Sequence, residues 1–185
     1  MVRERTIPLE RLDEEAFSAF GWVLGTPFPV DPAETDFSHP GSDFWHMHDF
    51  EPGEGGKTEL LWVNYRSAGL HLRALEVHWL TEQAIIPLGI GEIVHVVCPT
   101  RDDNSRLPDL TRLRAFRVGG GFGVCMRPGC WHTSLVPAGQ TTCLMLTRRS
   151  TTRDLVAHLN GESEAIESST VEISSLSEIE LLVQA

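Results

Sequence analysis

The sequence predicts an all-β fold, a barrel or jelly roll of antiparallel strands with a few short helices. Seven short stretches rich in β-branched and aromatic residues follow one another between positions 59 and 148, and residues typical of turns separate them. Within residues 71–80, side chains alternate in the period-two pattern of a half-buried strand. Many short strands with such punctuation are typical of sandwiches and barrels.

The length and charge of the chain restrict the partners it can have. Its 185 residues suit one barrel domain over residues 1–160, including an N-terminal helix, and an acidic extension over residues 161–185. The net charge is −11, with only 15 lysines and arginines. A chain this acidic binds phosphate backbones and anionic lipid headgroups poorly, so we expect no nucleic acid and no membrane partner.

The sequence also predicts a cytoplasmic protein. The chain begins with charged residues and lacks the apolar core of a signal peptide, and no apolar run approaches the roughly 18 residues of a membrane span. The four cysteines form no Cys-x-x-Cys pair. We therefore interpret them as reduced, packed thiols rather than as a zinc finger or a redox motif.

The predicted elements begin with a short helix over residues 8–21. Apolar residues recur there at helical spacing, Asp13 can cap the first turn, and Gly21 ends the helix. Residues 25–58 are rich in Gly, Pro, Asp and His, and they predict a long irregular excursion. The β-rich stretches that follow predict strands at residues 59–67, 70–80, 84–89, 92–99, 112–119, 122–126 and 141–148.

The last part of the chain has two interpretations. Residues 151–160 predict a second short helix. The extension beyond it carries six glutamates and no basic residue, so it is either a solvated acidic tail or a set of strands that pair with the barrel or with a partner subunit. Strands are favoured because Ile179, Leu182 and Val183 are too apolar to remain in water.

Two stretches carry residues suited to chemistry. Glu76 and His78 are two positions apart, so on a strand they share one face, and Gln83 could return to that face after a turn. In the second stretch a Pro-Gly pair interrupts a β-rich run just before His132, as a tight turn that delivers one histidine into a barrel would. Two imidazoles, a carboxylate and an amide oxygen suit one divalent metal ion, so the candidate metal ligands are Glu76, His78, Gln83 and His132.

Each of these residues also has a structural interpretation. His132 could be a satisfied core histidine, Glu76 could bridge a buried arginine, and Gln83 could be a structural amide, because glutamine is a weak ligand. His48 follows His46 at alternate spacing in a Gly- and Pro-rich region. That setting is typical of a solvated loop, although His48 could close over a pocket.

The two stretches resemble the sequence signature of the cupins. The first cupin motif is His-x-His with a Glu five residues beyond, and here Glu76, His78 and Gln83 occupy those positions. The second motif is Pro-x-Gly-x-x-His, which residues 128–132 (Pro-Gly-Cys-Trp-His) approximate with one residue fewer. The resemblance implies a cupin-like antiparallel β-barrel or jelly roll. Because one His is replaced by Glu and the Glu by Gln, we expect weaker metal affinity than in a typical cupin.

Over a longer span the chain resembles the ureidoglycolate lyase family, whose cupin-type enzymes split ureidoglycolate into glyoxylate and urea during allantoin breakdown. The family's Glu-x-His…Gln-Ala-x-Ile-Pro stretch matches residues 76–87, and its Pro-Asp-Leu…Leu-Arg-Ala-Phe stretch matches residues 108–116. His48 and Arg66 match it more loosely. The resemblance covers roughly residues 8–150 and implies a homodimer.

The resemblance implies roles for individual residues in a carbon–nitrogen lyase of the amidine-lyase type that acts on a small carboxylate. His132, Glu76 and His78 would perform the acid–base chemistry. Arg66, which stands at the family's arginine, would hold the substrate carboxylate, whereas Arg73 alternates with the face of Glu76 and should point away. The other predicted substrate contacts are Gln83, Trp131 and His48.

Two departures from the family leave other functions open. The family commonly has Val-Asn-Tyr and then Trp-His-His-Pro, but here residues 124–126 are Val-Cys-Met and residues 131–134 are Trp-His-Thr-Ser. Met126 and Thr133 thus replace a tyrosine hydroxyl and one imidazole. The alternatives are a non-catalytic cupin that binds a small carboxylate, and a metal-dependent cupin that catalyses a different reaction.

Overall fold

The computed structural model of the chain describes residues 3–25 and 35–184. The strands of this part are β1 (Arg3–Arg11), β2 (Gly21–Leu24), β3 (Phe37–His39), β4 (Ser42–Phe44), β5 (Thr58–Arg66), β6 (His71–Leu72), β7 (Ala74–His78), β8 (Gln83–Pro87), β9 (Glu92–Cys98), β10 (Arg114–Gly119), β11 (Gly123–Met126), β12 (Trp131–Leu135), β13 (Gln140–Arg148), β14 (Ser168–Glu172) and β15 (Ile179–Gln184). The helices are α1 (Glu14–Phe17), α2 (Arg149–Leu159) and α3 (Ile173–Leu176), with a 3-10 turn at Leu110–Arg112. The predicted all-β class is confirmed.

Two curled sheets pack against each other. One has eight strands in the order β14-β7-β12-β9-β10-β1-β15-β6, and the other has five in the order β2-β11-β8-β13-β5. β3 and β4 form a separate hairpin. Most neighbouring strands are antiparallel, as predicted, but β1 runs parallel to both β10 and β15. Each of the seven predicted strand stretches contains a strand, whereas β1, β2, β12 and the β3–β4 hairpin were not predicted.

The N-terminal helix prediction is wrong for its first half. The sequence predicts a helix over residues 8–21, but β1 continues to Arg11 and α1 has only four residues. The end of β1 pairs with β10, and this pairing outweighs the weak helical preference of so short a stretch. Asp13 caps α1 as predicted, because its side chain accepts a hydrogen bond from the backbone N–H of Ala16 at 2.8 Å. Gly21 begins β2.

The predicted irregular excursion falls partly on residues 26–34, which lie outside the described residues. From residue 35 to the start of β5, the regular structure is the β3–β4 hairpin. The rest of this segment lies without strand or helix between the hairpin and β5. The prediction of irregular backbone therefore holds for most of the described part.

Alternating side chains divide the interior into two apolar clusters. On β9, Ile93 and Val97 point into the space between the sheets, while Val94 and Val96 point to the other side of the eight-stranded sheet. The first pair joins residues of the five-stranded sheet, such as Ile85, in what we call the inner core. The second pair belongs to an outer core, which α3 and β15 help to close.

The acidic C-terminal stretch folds onto the barrel of its own chain. β14 pairs with β7, and β15 pairs with β1 and β6. Asp154 on α2 holds the start of this stretch in place through backbone hydrogen bonds. Its carboxylate accepts from the N–H groups of Ile166 (2.9 Å), Glu167 (3.0 Å) and Ser168 (3.1 Å). Leu181 on β15 is 3% exposed. The stretch contributes strands to the eight-stranded sheet.

The helices are short. α2, the second predicted helix, has 11 residues and is the longest helix of the described part of the chain. Among the residues that the structure describes, no helix has both the length and the apolar character needed to cross a membrane.

Replacing Leu181 with alanine tests how firmly the C-terminal strand is integrated. We expect the free energy of unfolding to fall by about 2–5 kcal/mol, because the side chain fills the outer core and its loss leaves a cavity. Leu159→Ala is the matched control, since that leucine is 67% exposed and its loss should change stability by less than about 0.5 kcal/mol. Urea unfolding of both variants measures the difference. Equal stabilities would mean that β15 is not part of the cooperative unit.

Candidate active site

Neighbouring strands of the eight-stranded sheet bring a carboxylate and two imidazoles together on the inner face. β12 lies beside β7, and Glu76 pairs directly with His132 across the two strands. Glu76 Oε1 lies 3.2 Å from His132 Nε2 and 4.0 Å from His78 Nε2. Glu76 and His78 share one face of β7, because they are two positions apart. These three predicted site residues therefore form one cluster.

The Pro-Gly turn between β11 and β12 positions His132. The backbone N–H of Cys130 donates to the carbonyl oxygen of Arg127 at 3.2 Å, which closes the turn. Gly129 has a φ of +80°, a left-handed conformation that favours glycine. Its N–H donates to the carbonyl oxygen of His78 at 2.8 Å, which ties the turn to β7. The turn thus delivers His132 to the inner face beside the strand that carries its partner.

The backbone also selects the tautomer of His132. Its Nδ1 lies 3.0 Å from the carbonyl oxygen of Cys130, which can only accept, so Nδ1 carries a hydrogen. Nε2 is then the nitrogen that faces Glu76, 3.2 Å from the carboxylate oxygen Oε1. Glu76 and His132 are therefore the candidate acid–base pair of the site.

A chain of polar groups continues from this pair across the inner face. His95 stands next to His132, with ring centroids 5.7 Å apart. Its Nε2 lies 2.6 Å from the sulfur of Met126, and its Nδ1 lies 3.1 Å from the hydroxyl of Ser134. The hydroxyl of Tyr65 from β5 lies close to Ser134. The sulfur only accepts, so Nε2 of a neutral His95 carries the hydrogen and its Nδ1 accepts from the serine.

Gln83 approaches the cluster from the five-stranded sheet. It lies at the start of β8, opposite Met126 on β11, and is 4% exposed. Its Nε2 lies 2.8 Å from His78 Nε2. The sequence predicts that Gln83 returns to the face of Glu76 and His78 after a turn. In the structure Gln83 reaches His78 from the opposite sheet.

The charge of the cluster is concentrated on Glu76. Burial disfavours its ionised form, but the hydrogen bond and the charge of His132, with the charges of His78 and His95, outweigh this effect and lower the pKa of Glu76. Burial, followed by the charge of His132, lowers the pKa of His78 to about 4 and the pKa of His95 to about 3. Burial first and the charge of Glu76 second raise the pKa of Tyr65 above its usual value, so this phenol stays protonated.

Access to the cluster is uneven. The side chain of Glu76 is 30% exposed, whereas those of His78 and His132 are 4% and 2% exposed. The carboxylate is therefore the accessible member of the cluster, and the two imidazoles lie behind it.

A cleft of about 210 Å³ is lined by residues of β12 that follow His132, among them Ser134. Arg66 and Arg73 both line it, together with Ser134, whose hydroxyl contacts His95. Arg73 is exposed and also lines a second cleft beside α3, so the prediction that it points away from Glu76 stays a prediction. Arg73 occupies the single-residue break between β6 and β7, where the alternation of a continuous strand does not apply.

Trp131 and His48, two predicted substrate contacts, lie away from the cluster. Trp131 alternates with His132 on β12, so its ring points into the outer core, where it packs edge-on against Trp79 at 5.9 Å. His48 stacks on Trp22, with ring centroids 4.0 Å apart, on the outer face of the five-stranded sheet. Trp22 pairs with Cys125, and this face is opposite the one that carries Gln83. Strand alternation therefore separates both residues from the acid–base pair.

The cluster fits a divalent metal ion in its donor types. One ligand atom each from Glu76, His78 and His132 lies within 4.8 Å of the other two. Imidazole nitrogen and carboxylate oxygen are ligands that zinc, iron and nickel accept. Gln83, the fourth predicted ligand, contacts His78.

Sequence reasoning missed Tyr65, His95 and Ser134 as members of the site. His95 alternates with Ile93 and Val97, and its neighbours in sequence suggest a packed core histidine. Tyr65 similarly follows the inward-facing positions of β5. The period-two pattern puts both residues on an inward face, but only the strand order shows that this part of the face is polar.

Two curled sheets form a cupin-like barrel with an inward cluster of imidazoles and a carboxylate, which is the candidate site. The family model described as ureidoglycolate lyase matches residues 4–167. The chain therefore belongs to the ureidoglycolate lyase family.

Individual relatives carry the same name. The chain is 37% identical over 131 residues to the ureidoglycolate lyase of Escherichia coli (strain SMS-3-5 / SECEC), covering 67% of this chain and 75% of that protein. It is 29% identical over 155 residues to the ureidoglycolate lyase of Chelativorans sp. (strain BNC1), covering 78% and 86%. Among solved structures it is similar to a dTDP sugar isomerase from Desulfovibrio desulfuricans G20, with a TM-score of 0.37 and 14% identity over 60% of this chain and 69% of that chain.

Acid should destabilise the metal-free protein because His78 and His95 are neutral in the fold. Between pH 6.5 and the lowered folded values, the unfolded chain binds protons that the folded chain does not, so stability falls as pH falls. Each histidine contributes a slope of about 1.4 kcal/mol per pH unit in that window. Urea midpoints in the presence of a chelator, measured from pH 7.5 to pH 5, give the slope.

Histidine variants show which residue causes this dependence of the unfolding free energy on pH. His95→Gln should reduce the slope by about 1.4 kcal/mol per pH unit whatever its effect on stability at pH 7.5. His71→Gln removes an exposed histidine and is the control variant. An unchanged slope in His95→Gln would mean that His95 is protonated in the folded protein.

Proposed function

We propose that the protein cleaves ureidoglycolate to glyoxylate and urea, as a carbon–nitrogen lyase of the amidine-lyase type. Family membership supports this function over a non-catalytic cupin that binds a small carboxylate. In the reaction, the substrate hydroxyl loses its proton and its carbon becomes the carbonyl of glyoxylate. The C–N bond breaks with its electron pair moving to the urea nitrogen, which gains a proton. The proton removed from oxygen thus balances the proton added to nitrogen.

The observation that carries the proposal is the contact between Glu76 and His132. The carboxylate is the accessible member of the pair and takes the hydroxyl proton, while His132 Nε2, 3.2 Å behind it, shares that proton. The pair then returns the proton to the departing nitrogen and regains its starting state. The carbonyl of Cys130 holds the ring in the required tautomer throughout.

The cleft lined by Ser134 suits the carboxylate end of the substrate. A guanidinium group binds a carboxylate through two parallel hydrogen bonds, and Arg66 and Arg73 both line the cleft. Ser134 lines the cleft and supplies a hydroxyl group, and the protonated phenol of Tyr65 lies close to Ser134. We propose that Tyr65, on β5, takes the place of the tyrosine hydroxyl that the family commonly carries on β11.

A divalent metal ion is compatible with this site. Glu76, His78 and His132 are the residues that would hold it, with Gln83 next to His78. When bound, such an ion would lower the pKa of the substrate hydroxyl and attract the carboxylate.

The setting of the reaction follows from the same resemblance. We propose a place in allantoin catabolism, a branch of purine degradation, and a cytoplasmic location. All four cysteines are free thiols, and such thiols persist in a reducing compartment.

Substitution of the acid–base pair tests the proposed lyase. His132→Ala and Glu76→Gln should each lower kcat by at least about 100-fold, because each removes one half of the proton relay. A coupled glyoxylate assay, corrected for spontaneous breakdown of ureidoglycolate and run with and without added divalent metals, measures turnover. Circular dichroism verifies that the variants are folded.

Matched controls separate chemistry from general perturbation. His158→Ala on α2 and Glu164→Gln in the acidic stretch remove the same side-chain types outside the cluster, and should retain wild-type kcat. Full activity in folded His132→Ala would contradict the relay. No turnover by the wild type under any metal would contradict the lyase itself.

We also propose that the protein is a homodimer joined through β5 and β13. Leu60 and Trp62 are 64% and 65% exposed on the outer face of β5. Strand pairing places Leu146 and Leu144 beside them on the same face, and Ile86 beside Leu144. A continuous apolar surface of this kind is typical of a protein–protein interface. A second copy of the chain is the partner that the family resemblance implies.

Light scattering after gel filtration tests the homodimer. We expect the wild type to have twice the 20.6 kDa mass of the chain and Trp62→Glu to be a monomer, because a buried unpaired carboxylate opposes association. Leu159→Glu changes an equally exposed apolar residue on α2 and should remain a dimer. A monomeric wild type, or a dimeric Trp62→Glu, would contradict this interface.

A further inference from the structure

We propose that His48, Glu82 and Cys125 form a second metal site, suited to Zn²⁺, on the outer face of the five-stranded sheet. It is separate from the acid–base cluster, and it does not depend on the lyase function. The three ligand atoms lie within 4.8 Å of one another.

Strand alternation builds this site behind the active site. On β11, Met126 points inward and Cys125 points outward, opposite Ala84 on β8. Glu82 precedes β8 and alternates with the inward-facing Gln83. Its carboxylate therefore reaches the outward-facing thiol, with Cys125 Sγ 3.7 Å from Glu82 Oε2.

The irregular segment between β4 and β5 supplies the third ligand. His48 Nε2 lies 2.8 Å from Glu82 Oε2, and the same oxygen accepts the backbone N–H of Glu51 at 2.9 Å. Trp22 stacks on the imidazole with a centroid distance of 4.0 Å and fixes its plane. The ligand atoms are therefore held by two strands, a loop and an aromatic ring.

The distances are near those of a tetrahedral zinc site. In such a site, zinc lies about 2.0 Å from nitrogen and oxygen ligands and about 2.3 Å from sulfur. Tetrahedral geometry then places a nitrogen and an oxygen ligand about 3.3 Å apart, and an oxygen and a sulfur ligand about 3.6 Å apart. The observed separation of Cys125 and Glu82 already agrees with this value. His48 would move away from Glu82 by about 0.5 Å.

Charge also favours a divalent ion at this position. The side chains of Glu82 and His48 are 7% and 14% exposed, and Cys125 is fully buried. A carboxylate and a thiolate together balance the charge of one Zn²⁺ once the thiol proton has been released to solvent, so the filled site carries no net charge. A thiolate ligand selects zinc over magnesium and calcium. The partial exposure of His48 leaves room for water in the fourth position.

Cobalt and zinc titrations of the full chain test this site. The protein is freed of metal with a chelator, dialysed, and titrated with CoCl₂ alone or ZnCl₂ alone. Co²⁺ should produce a near-ultraviolet thiolate-to-cobalt band, and zinc should raise the melting temperature because the ion binds only the folded chain. The acid–base cluster contains no cysteine among its candidate ligands, so the band reports on the outer site.

Variants make the test specific. Cys125→Ala should lose the band, whereas Cys98→Ala, which removes an equally buried thiol from the outer core, should retain it. His48→Ala alters only the irregular segment between β4 and β5, which we call the covering segment. It should weaken zinc binding at least tenfold, and it tests the site even if Cys125→Ala does not fold. The proposal is overturned if the wild type gives no thiolate band, if the band persists in Cys125→Ala, or if His48→Ala binds zinc as tightly as the wild type. None of these outcomes bears on ureidoglycolate turnover.

Discussion

The alternation of side chains on β7 and β12 is the constraint on which the site depends. Glu76 and His78 point inward on β7, while Val77 between them enters the outer core. On β12, His132 points inward beside Trp131, which points outward. One side of the sheet therefore supplies apolar burial and the other side supplies polar chemistry. A register shift of one residue would exchange the two faces and abolish both.

The ionised group of the inner face is the carboxylate of Glu76, and the imidazoles of His78 and His95 beside it are neutral. Burying several ionised groups in a core is costly, and burial keeps His78 and His95 neutral. Glu76 stays ionised because its imidazole neighbours favour the carboxylate. The Glu76–His132 contact, at 3.2 Å, is where the proposed lyase step would move one proton from oxygen to nitrogen.

Side chains also alternate between the two faces of the five-stranded sheet, and there both faces carry polar clusters. Gln83 and Met126 face inward and touch the histidines of the active site. Their sequence neighbours Glu82 and Cys125 face outward and meet His48. Two clusters of ligand-type side chains are thus separated by the thickness of one sheet. The segment between β4 and β5 contributes His48 to the outer cluster, whereas the inner cluster contains Glu76.

The sequence by itself determined the all-β class, most strand positions, the Pro-Gly turn before His132 and the shared face of Glu76 and His78. These features depend on local periodicity and on the preferences of individual residues, which a sequence displays directly. It also indicated the family, through motifs that span most of the chain.

Only the tertiary structure decided which faces meet. The parallel pairing of β1 replaced a predicted helix, because contacts with β10 and β15 at distant positions outweigh local propensity. Tyr65 and His95 joined the site, and His48 moved to another cluster, through the order of strands in the two sheets. Arg73 lies in the break between β6 and β7, where local alternation gives no direction for its side chain. Strand order and breaks arise from long-range pairing, and no local pattern in the sequence encodes them.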